Sequence, residues 1–248
     1  MKKIVYLFLI FVFACDSEDG FDCFQTSGSS ILQEIEIPSF SKILVNRDVE
    51  LILKEGTDFE VIIETGENLL NDVDVTVVND QLELTDNNTC NFVRDFGITK
   101  IFVTAPNITE IRSSTQFDIS SDGVLNYENL TLLSEDFSEP DTFNVGDFRL
   151  QVNSNRLNIV TNGSSFFFIE GSVDNLNINF ASGLSRFEGG NLIAQNVNVF
   201  HRGENDMVIN PQQSLTGRLV STGNLISRNR PEVVEIETLF SGQLIFEN

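Results

Sequence analysis

The stretch from Leu157 to Met207 reads LNIVTNGSSFFFIEGSVDNLNINFASGLSRFEGGNLIAQNVNVFHRGENDM and repeats itself at a fixed interval. Gly163, Gly183, Gly203 and Gly223 follow one another at steps of 20 residues. We expect each glycine to lie at a tight corner between strands, where a positive φ favours a residue without a Cβ. Self-similarity at this interval is typical of solenoids, in which each coil buries its apolar side against its neighbours.

Apolar residues recur at fixed distances from these glycines. Three residues before the glycines, and at the next equivalent position, lie Val160, Phe180, Phe200, Val220 and Phe240. Four residues after the first three glycines lie Phe167, Phe187 and Met207. Strand-like segments that echo one another precede them: Leu157-Asn158-Ile159, Leu176-Asn177-Ile178 and Val197-Asn198-Val199. The pattern predicts ladders of core side chains, with the abundant asparagines at corners.

The predicted fold class is therefore all-β, a β-solenoid or parallel β-helix-like fold with coils of about 20 residues, preceded by short packed β-strands. Residues 31–105 supply those N-terminal strands, because they alternate apolar and polar residues between turn residues. Residues 106–248 supply the repeat coils. Only residues 67–72 could form a helical turn. Residues 135–141 interrupt the coil pattern and are predicted to be an insertion that contributes binding surface.

The N-terminus has the order of a secretory signal peptide, assigned to residues 1–14. Lys2 and Lys3 precede ten uncharged apolar residues and Ala14. A helix of that length rises about 15 Å, too short for a hydrocarbon core of roughly 30 Å. Residues 12–15 resemble a bacterial lipobox, which implies cleavage before Cys15 and acylation of that cysteine, palmitate included. The alternative is an ordinary secretory peptide with a chance cysteine.

Residues 15–30 are predicted to form an acidic tether. The segment Asp16-Ser17-Glu18-Asp19-Gly20-Phe21-Asp22 resembles export signals that send lipoproteins to the outer face of the outer membrane. The alternatives are a plain linker and a protein on the periplasmic face. In that oxidising compartment Cys23 and Cys90 form an even pair, for which we predict a disulfide, with two free thiols as the alternative.

Composition excludes several functions. The net charge of −22 and the pI near 4.2 would repel nucleic acid, so no nucleic-acid partner is expected. The acidic residues favour solubility, with calcium binding through Glu135, Asp136, Glu139 and Asp141 as a loosely spaced alternative. His201 is the sole histidine, and we expect it at the surface or at a corner. Because no serine lies in a GxSxG motif and no second histidine exists, we assign no catalytic residue, metal or cofactor.

A family resemblance adds to this interpretation. The stretch Phe102-Val103-Thr104-Ala105-Pro106-Asn107-Ile108-Thr109-Glu110-Ile111, followed by Ser113-Ser114 and Phe117-Asp118-Ile119, is similar to the putative auto-transporter adhesin, head GIN domain family. Residues 40–45 and 49–53 are similar to its opening strands. The resemblance covers about residues 31–246 and implies a β-solenoid-like fold on envelope lipoproteins, with no catalytic residues to transfer.

Three functional hypotheses follow. The first is a lipid-anchored, non-catalytic adhesin with a glycan or protein ligand. The second is a structural envelope protein that assembles through its coil ends. The third is a carbohydrate-active enzyme on a β-helix, which would need paired carboxylates in a cleft. The arginines of the coil region could line such a cleft, but the sequence leaves open whether they share one face: Arg112, Arg149, Arg156, Arg186, Arg202, Arg218, Arg228 and Arg230.

Overall fold

The computed structural model describes residues 22–88, 90–95 and 97–247, and in them it confirms the all-β prediction. Two short 3₁₀ helices occur, Asp22–Phe24 and Leu70–Asp72, the second within the segment predicted to turn. Within the described ranges, no helix is long and apolar enough to cross a bilayer. The strands are β1 (Ser30–Ile35), β2 (Lys42–Val45), β3 (Glu50–Glu55), β4 (Glu60–Gly66), β5 (Val73–Val78), β6 (Gln81–Asp86), β7 (Lys100–Ala105), β8 (Glu110–Ser113), β9 (Ile119–Leu125), β10 (Asn129–Ser134), β11 (Phe148–Thr161), β12 (Phe166–Phe180), β13 (Arg186–Glu188), β14 (Leu192–His201), β15 (Met207–Ile209), β16 (Pro211–Leu219), β17 (Leu225–Ser227), β18 (Val233–Thr238) and β19 (Leu244–Phe246).

The N-terminal strands belong to the same hydrogen-bonded system as the repeats. β2 pairs in parallel with both β6 and β8, and β3 pairs in parallel with both β7 and β9. Antiparallel pairing is confined to β1–β4, β4–β7 and β5–β6 at the N-terminal end. One continuous core of buried apolar residues runs from Phe40 to Leu225. The strands of residues 31–105 and the later coils therefore form one packed unit.

Two rows of parallel strands follow. In the first row, β8, β10, β11, β12, β14, β16 and β18 lie side by side. Along it, Leu157 pairs with Leu176, Leu176 with Val197 and Val197 with Leu215, at steps of 19, 21 and 18 residues. In the second row, β9, β11, β12, β13, β15, β17 and β19 pair in the same way. The long strands β11 and β12 belong to both rows.

Side chains that face inward form continuous ladders. Phe148, Phe167, Phe187, Met207 and Leu225 are register partners in succession, and all are fully buried. The rings of Phe148 and Phe167 stack with centroids 4.9 Å apart, close to the spacing of neighbouring strands. The ladder predicted four residues after the glycines is thus present. Each buried aromatic contributes roughly 1.5–3 kcal/mol relative to exposure.

The ladder predicted three residues before the glycines is wrong. Phe180 is buried, but Val160, Phe200 and Val220 are only half-buried and Phe240 is 66% exposed. The partners of Phe180 are instead Thr161 and His201. Steps between strands vary around 20 residues, so a comb of strict period 20 slips by one position. In a strand, a slip of one residue moves a side chain to the opposite face.

The corner glycines lie between strands as predicted, but a positive φ is needed at only one of them. Gly183 has φ 88°, whereas Gly163, Gly203 and Gly223 are not in the left-handed region. A Cβ on Gly163 would overlap the Asn144 carbonyl oxygen, and one on Gly223 would overlap the Asn205 carbonyl oxygen. Close approach of successive coils, more than backbone conformation, therefore favours glycine here.

Asparagines of the echoing segments lie on strands, not at corners, which corrects that expectation. Asn177 Nδ2 donates to Asn158 Oδ1 (3.0 Å), and Asn158 Nδ2 donates to Thr131 Oγ1 (3.3 Å). Asn198 Nδ2 donates to Thr216 Oγ1 (3.2 Å). Because these side chains face outward at matching register, each amide finds a partner on the next strand.

His201 is at a corner but is not a surface residue. It is 1% exposed, because its register partners Phe180 and Leu219 face the core. Its Nδ1 accepts a hydrogen bond from the Gly203 N–H (3.3 Å), and the Phe180 ring meets it edge-on. Burial lowers the pKa of His201, although the Asn205 backbone and the charge of Asp206 oppose this.

We expect His201→Leu to remove part of the acid sensitivity of folding. A lowered pKa in the folded state means that the unfolded chain binds the proton more readily, so wild-type stability falls as pH drops below about 6.5. Urea unfolding at pH 7.5 and pH 5.5 should show a smaller loss for the variant. Carboxylate titration is common to both proteins and cancels in the difference. Equal losses would contradict the prediction.

The predictions at the N-terminus fall largely outside the described residues. The signal peptide (1–14) and Cys15 precede Asp22, as does most of the acidic segment. Within the predicted tether of residues 15–30, folded contacts already exist from Cys23 onward: Gln25 is 2% exposed, and its Nε2 donates to the Asn68 carbonyl (2.7 Å). The folded domain therefore begins earlier than residue 31.

Candidate functional site

A cleft of about 400 Å³ lies on the outer side of the second strand row. Along β11 and β12 the buried residues Phe148, Leu150, Phe167 and Ile169 alternate with residues that face outward. The outward positions Arg149 and Phe168 are register partners, and Glu188 follows next to Phe168. Strand alternation and parallel register thus place an arginine, an aromatic ring and a carboxylate in a line.

Arg149 is the most heavily contacted residue of the cleft. Its guanidinium carbon lies 4.2 Å from the centroid of the Phe168 ring, a cation–π contact. Its Nε is 2.7 Å from Asp118 Oδ2, and its Nη2 is 3.2 Å from Asp147 Oδ2. Two carboxylates and a ring therefore fix a guanidinium that is still 45% exposed.

Asp147 lies in an unusual environment beside this arginine. Its Oδ1 accepts a hydrogen bond from the Phe166 N–H (2.9 Å). Burial raises the pKa of Asp147 and the charge of Asp118 adds to the effect, while the Phe166 N–H and Arg149 act in the opposite direction. The raised pKa thus belongs to a carboxylate that already contacts an arginine.

The structure answers the open question about the arginines of the coil region. Arg149, Arg186 and Arg228 lie on this outer side, where Arg186 pairs with Glu188 and Arg228 lies 3.4 Å from Glu247. Arg228 crosses over Gly190, where a Cβ would overlap its guanidinium. Arg112 and Arg218 lie elsewhere, on β8 and β16 of the first row.

A second groove, of about 470 Å³, lies between the outer side of β2, β6 and β8 and the segment between β10 and β11. That segment contains the predicted insertion of residues 135–141 and folds back over β8. Arg47 lies over the Phe143 ring with 4.6 Å between the guanidinium carbon and the centroid. The insertion thus forms one wall of a polar groove.

Glu135 holds the insertion in place by an ion pair with Arg112. Arg112 Nη1 lies 2.7 Å from Glu135 Oε1 and Nη2 donates to Ser138 Oγ (3.1 Å), with the Glu135 side chain 2% exposed. Burial alone would raise the pKa of Glu135, but hydrogen bonds from Ser138 and Arg112 and the charge of Arg112 lower it. Glu135 is therefore not available to the calcium loop considered with Asp136, Glu139 and Asp141. Within the described ranges, no cluster of three or more metal-ligating side chains occurs.

Cys23 and Cys90 are joined by a disulfide with their Cα atoms 4.5 Å apart. The bridge closes a separation of 67 residues and ties the first described turn to the loop after β6. In the chain-entropy model, closing a loop of this length contributes about 4 kcal/mol to the free energy of unfolding.

Sequence reasoning identified the insertion and the cysteine pair but missed the cleft. The contact between Arg149 and Phe168 joins residues 19 positions apart, and it needs both the parallel register and the outward alternation of β11 and β12. The spacing of the buried partners Phe148 and Phe167 was the available signal.

We expect Glu135→Gln to lower the free energy of unfolding by about 3–5 kcal/mol, since it leaves the buried Arg112 charge without its partner. A matched control is Glu237→Gln, which removes the partner of Arg218. Both side chains of that pair are more than half exposed, so the loss there should stay below about 1 kcal/mol. Urea titrations of the three proteins check the comparison. Equal losses would show that the insertion is not held by this pair.

Comparison with known proteins completes the description. Residues 39–231 match the model of a protein family described as putative auto-transporter adhesin, head GIN domain. No curated protein matches the sequence.

Solved structures share the fold at low sequence identity. A putative adhesin from Bacteroides fragilis superposes with a TM-score of 0.79 at 19% identity, covering 90% of this chain and 99% of the other. A putative lipid binding protein from Parabacteroides distasonis gives a TM-score of 0.60 at 14% identity, covering 88% and 97%. A putative adhesin from Parabacteroides merdae gives 0.59 at 16%, covering 89% and 97%. At these identities the similarity is one of fold alone.

Proposed function

This chain belongs to the putative auto-transporter adhesin, head GIN domain family, and from that premise we propose that it is a non-catalytic, lipid-anchored adhesin of the bacterial envelope. In this proposal Cys15 is acylated and holds the protein in the outer membrane, facing the exterior. The lipobox-like residues 12–15 and the acidic segment after them support the anchor and its location.

The proposed architecture of the binding domain is a β-solenoid with coils of about 20 residues. Parallel pairing in two strand rows supports it, with steps of 18 to 21 residues from β11 to β19. A solenoid presents a long regular side on which successive coils can contribute to one binding surface.

The ligand in this proposal is a glycan bound in the cleft. The observation that supports it is the contact of Arg149 with Phe168, half-exposed beside Glu170, Glu188 and Arg228. An apolar ring face suits the C–H side of a sugar, while charged side chains and Gln151 can bond its hydroxyls. A cleft of about 400 Å³ has the size of ordinary ligand sites.

The non-catalytic part of the proposal rests on how the carboxylates are used. Asp118 and Asp147 contact Arg149, and Glu188 contacts Arg186. A glycosidase needs one carboxyl group free to give a proton and a second free to activate water or attack the sugar. Ion-paired carboxylates are poor candidates for either role.

Assembly through coil ends is the second candidate, favoured by the C-terminal coil. β18 pairs only with β16 and β19 only with β17 among the described strands, and Val233, Val234 and Phe240 are exposed there. The outward residues Glu235 and Glu237 count against it, because charges on an edge strand hinder pairing with another chain. Sedimentation of the purified chain distinguishes monomer from end-to-end assemblies.

We expect Phe168→Leu to weaken glycan binding by about tenfold, roughly 1.4 kcal/mol, because it removes the flat ring face but keeps an apolar residue. A glycan array with wild type identifies the sugar, and titration calorimetry measures both proteins. Phe240→Leu is the matched control, since that phenylalanine lies on the C-terminal coil. Binding unchanged in Phe168→Leu and lost in Phe240→Leu would move the site to the coil end.

We expect Cys15→Ser to release the protein from the membrane fraction of the native cell. Without the thiol no acyl chain can be attached, and one short apolar leader is no lasting anchor. Mass spectrometry of wild type reads the acyl state, and protease treatment of intact cells reads the exposed side. Protection from the protease would place the protein on the periplasmic side instead.

A further inference from the structure

Two phenylalanine rings from distant parts of the chain lie side by side at the surface. Phe24 and Phe92 have ring centroids 5.6 Å apart, and they are 56% and 72% exposed. Val93, beside them in sequence, is 52% exposed. We call these three residues the N-terminal apolar patch. Large apolar side chains grouped at a surface mark contact with a partner or a membrane.

The patch is built on a well-connected base. The disulfide Cys23–Cys90 lies directly beneath it in sequence, and the Phe92 N–H donates to the Cys23 carbonyl (2.9 Å). Arg94 Nη1 donates to the Gln25 carbonyl and Nη2 to the Cys90 carbonyl, both at 3.0 Å. The polar groups of this loop are therefore used inside the domain, while its apolar side chains stay exposed.

The N-terminal apolar patch lies close in sequence to the proposed anchor. Seven residues separate Cys15 from Cys23, so even a fully extended chain spans only about 28 Å. An acylated Cys15 would hold the patch within that distance of the bilayer at all times. Such tethering raises the effective concentration of the patch at the membrane, so weak apolar contacts suffice.

We propose that Phe24, Phe92 and Val93 form a membrane-contact surface that enters the interfacial region of the bilayer holding the Cys15 acyl chains. This inference rests on the proposed lipid anchor. The acids Asp16, Glu18 and Asp19 lie between anchor and patch, so zwitterionic headgroups suit this contact better than anionic ones. The disulfide keeps both rings at one place on the domain and thereby orients the domain on the membrane.

The experiment uses the chain from Cys15 onward, coupled through the Cys15 thiol to a maleimide lipid in phosphatidylcholine vesicles. Cys23 and Cys90 stay bridged, so Cys15 is the reactive thiol. The vesicles contain a phospholipid with a diazirine in its acyl chain, and mass spectrometry locates the photo-crosslinks. We expect at least tenfold more crosslinks at Phe24, Phe92 and Val93 than at Leu239 and Phe240.

Leu239 and Phe240 are a suitable reference, because they are 50% and 66% exposed and follow β18, about eight strand steps or roughly 40 Å from β7. Phe92→Ser should lower the crosslinks at the patch severalfold, and Phe240→Ser should leave them unchanged. Vesicles rich in phosphatidylglycerol should give fewer crosslinks. Crosslinks shared equally between the two sites, or confined to residues 16–21, would overturn the inference.

The lipid anchor and the membrane contact fail separately in this design. An unacylated Cys15 in protein from the native membrane would contradict the proposed anchor, and the maleimide-coupled chain would still test the patch. Acylated native protein with no crosslinks at the patch would contradict the membrane contact alone.

Discussion

Parallel, in-register stacking of inward side chains is the constraint on which the rest of this structure depends. Phe148, Phe167, Phe187, Met207 and Leu225 succeed one another along the second strand row, each covered by the next. No single coil could bury such residues alone. Because side chains alternate along a strand, fixing the inward set also fixes the outward set. The cleft at Arg149 and Phe168 is thus a consequence of the core ladder.

Corners absorb the variation in coil length. The register between β14 and β16 shifts between Ala194 and Asn196, so one strand takes up extra chain without disturbing Val197 and its partner Leu215. The segment between β10 and β11 takes up far more, and the buried pair of Arg112 with Glu135 fastens it to β8. Strand rows can stay regular because irregularity is confined to the places where coils turn.

The two ends of the stack differ in physical character. At the N-terminal end, antiparallel pairs add strands beside the parallel rows, and the disulfide Cys23–Cys90 joins distant segments. At the C-terminal end β18 has a single partner strand in the described structure, and Glu235 and Glu237 line its outer side. A membrane contact at one end and a ligand cleft along the side would leave both surfaces accessible together.

The sequence by itself determined the all-β class, the approximate repeat, the insertion of residues 135–141 and the family. These follow from local alternation, glycine spacing and motif order, which are properties of neighbouring residues. Only the tertiary structure decided which residues share a face. The comb through Val160, Phe200 and Phe240 failed, and His201 proved to be buried, because each step between strands differs by a residue or two and every such difference reverses the side chain. The cleft likewise needed the actual register, since Arg149 meets Phe168 only when β11 and β12 are aligned in space.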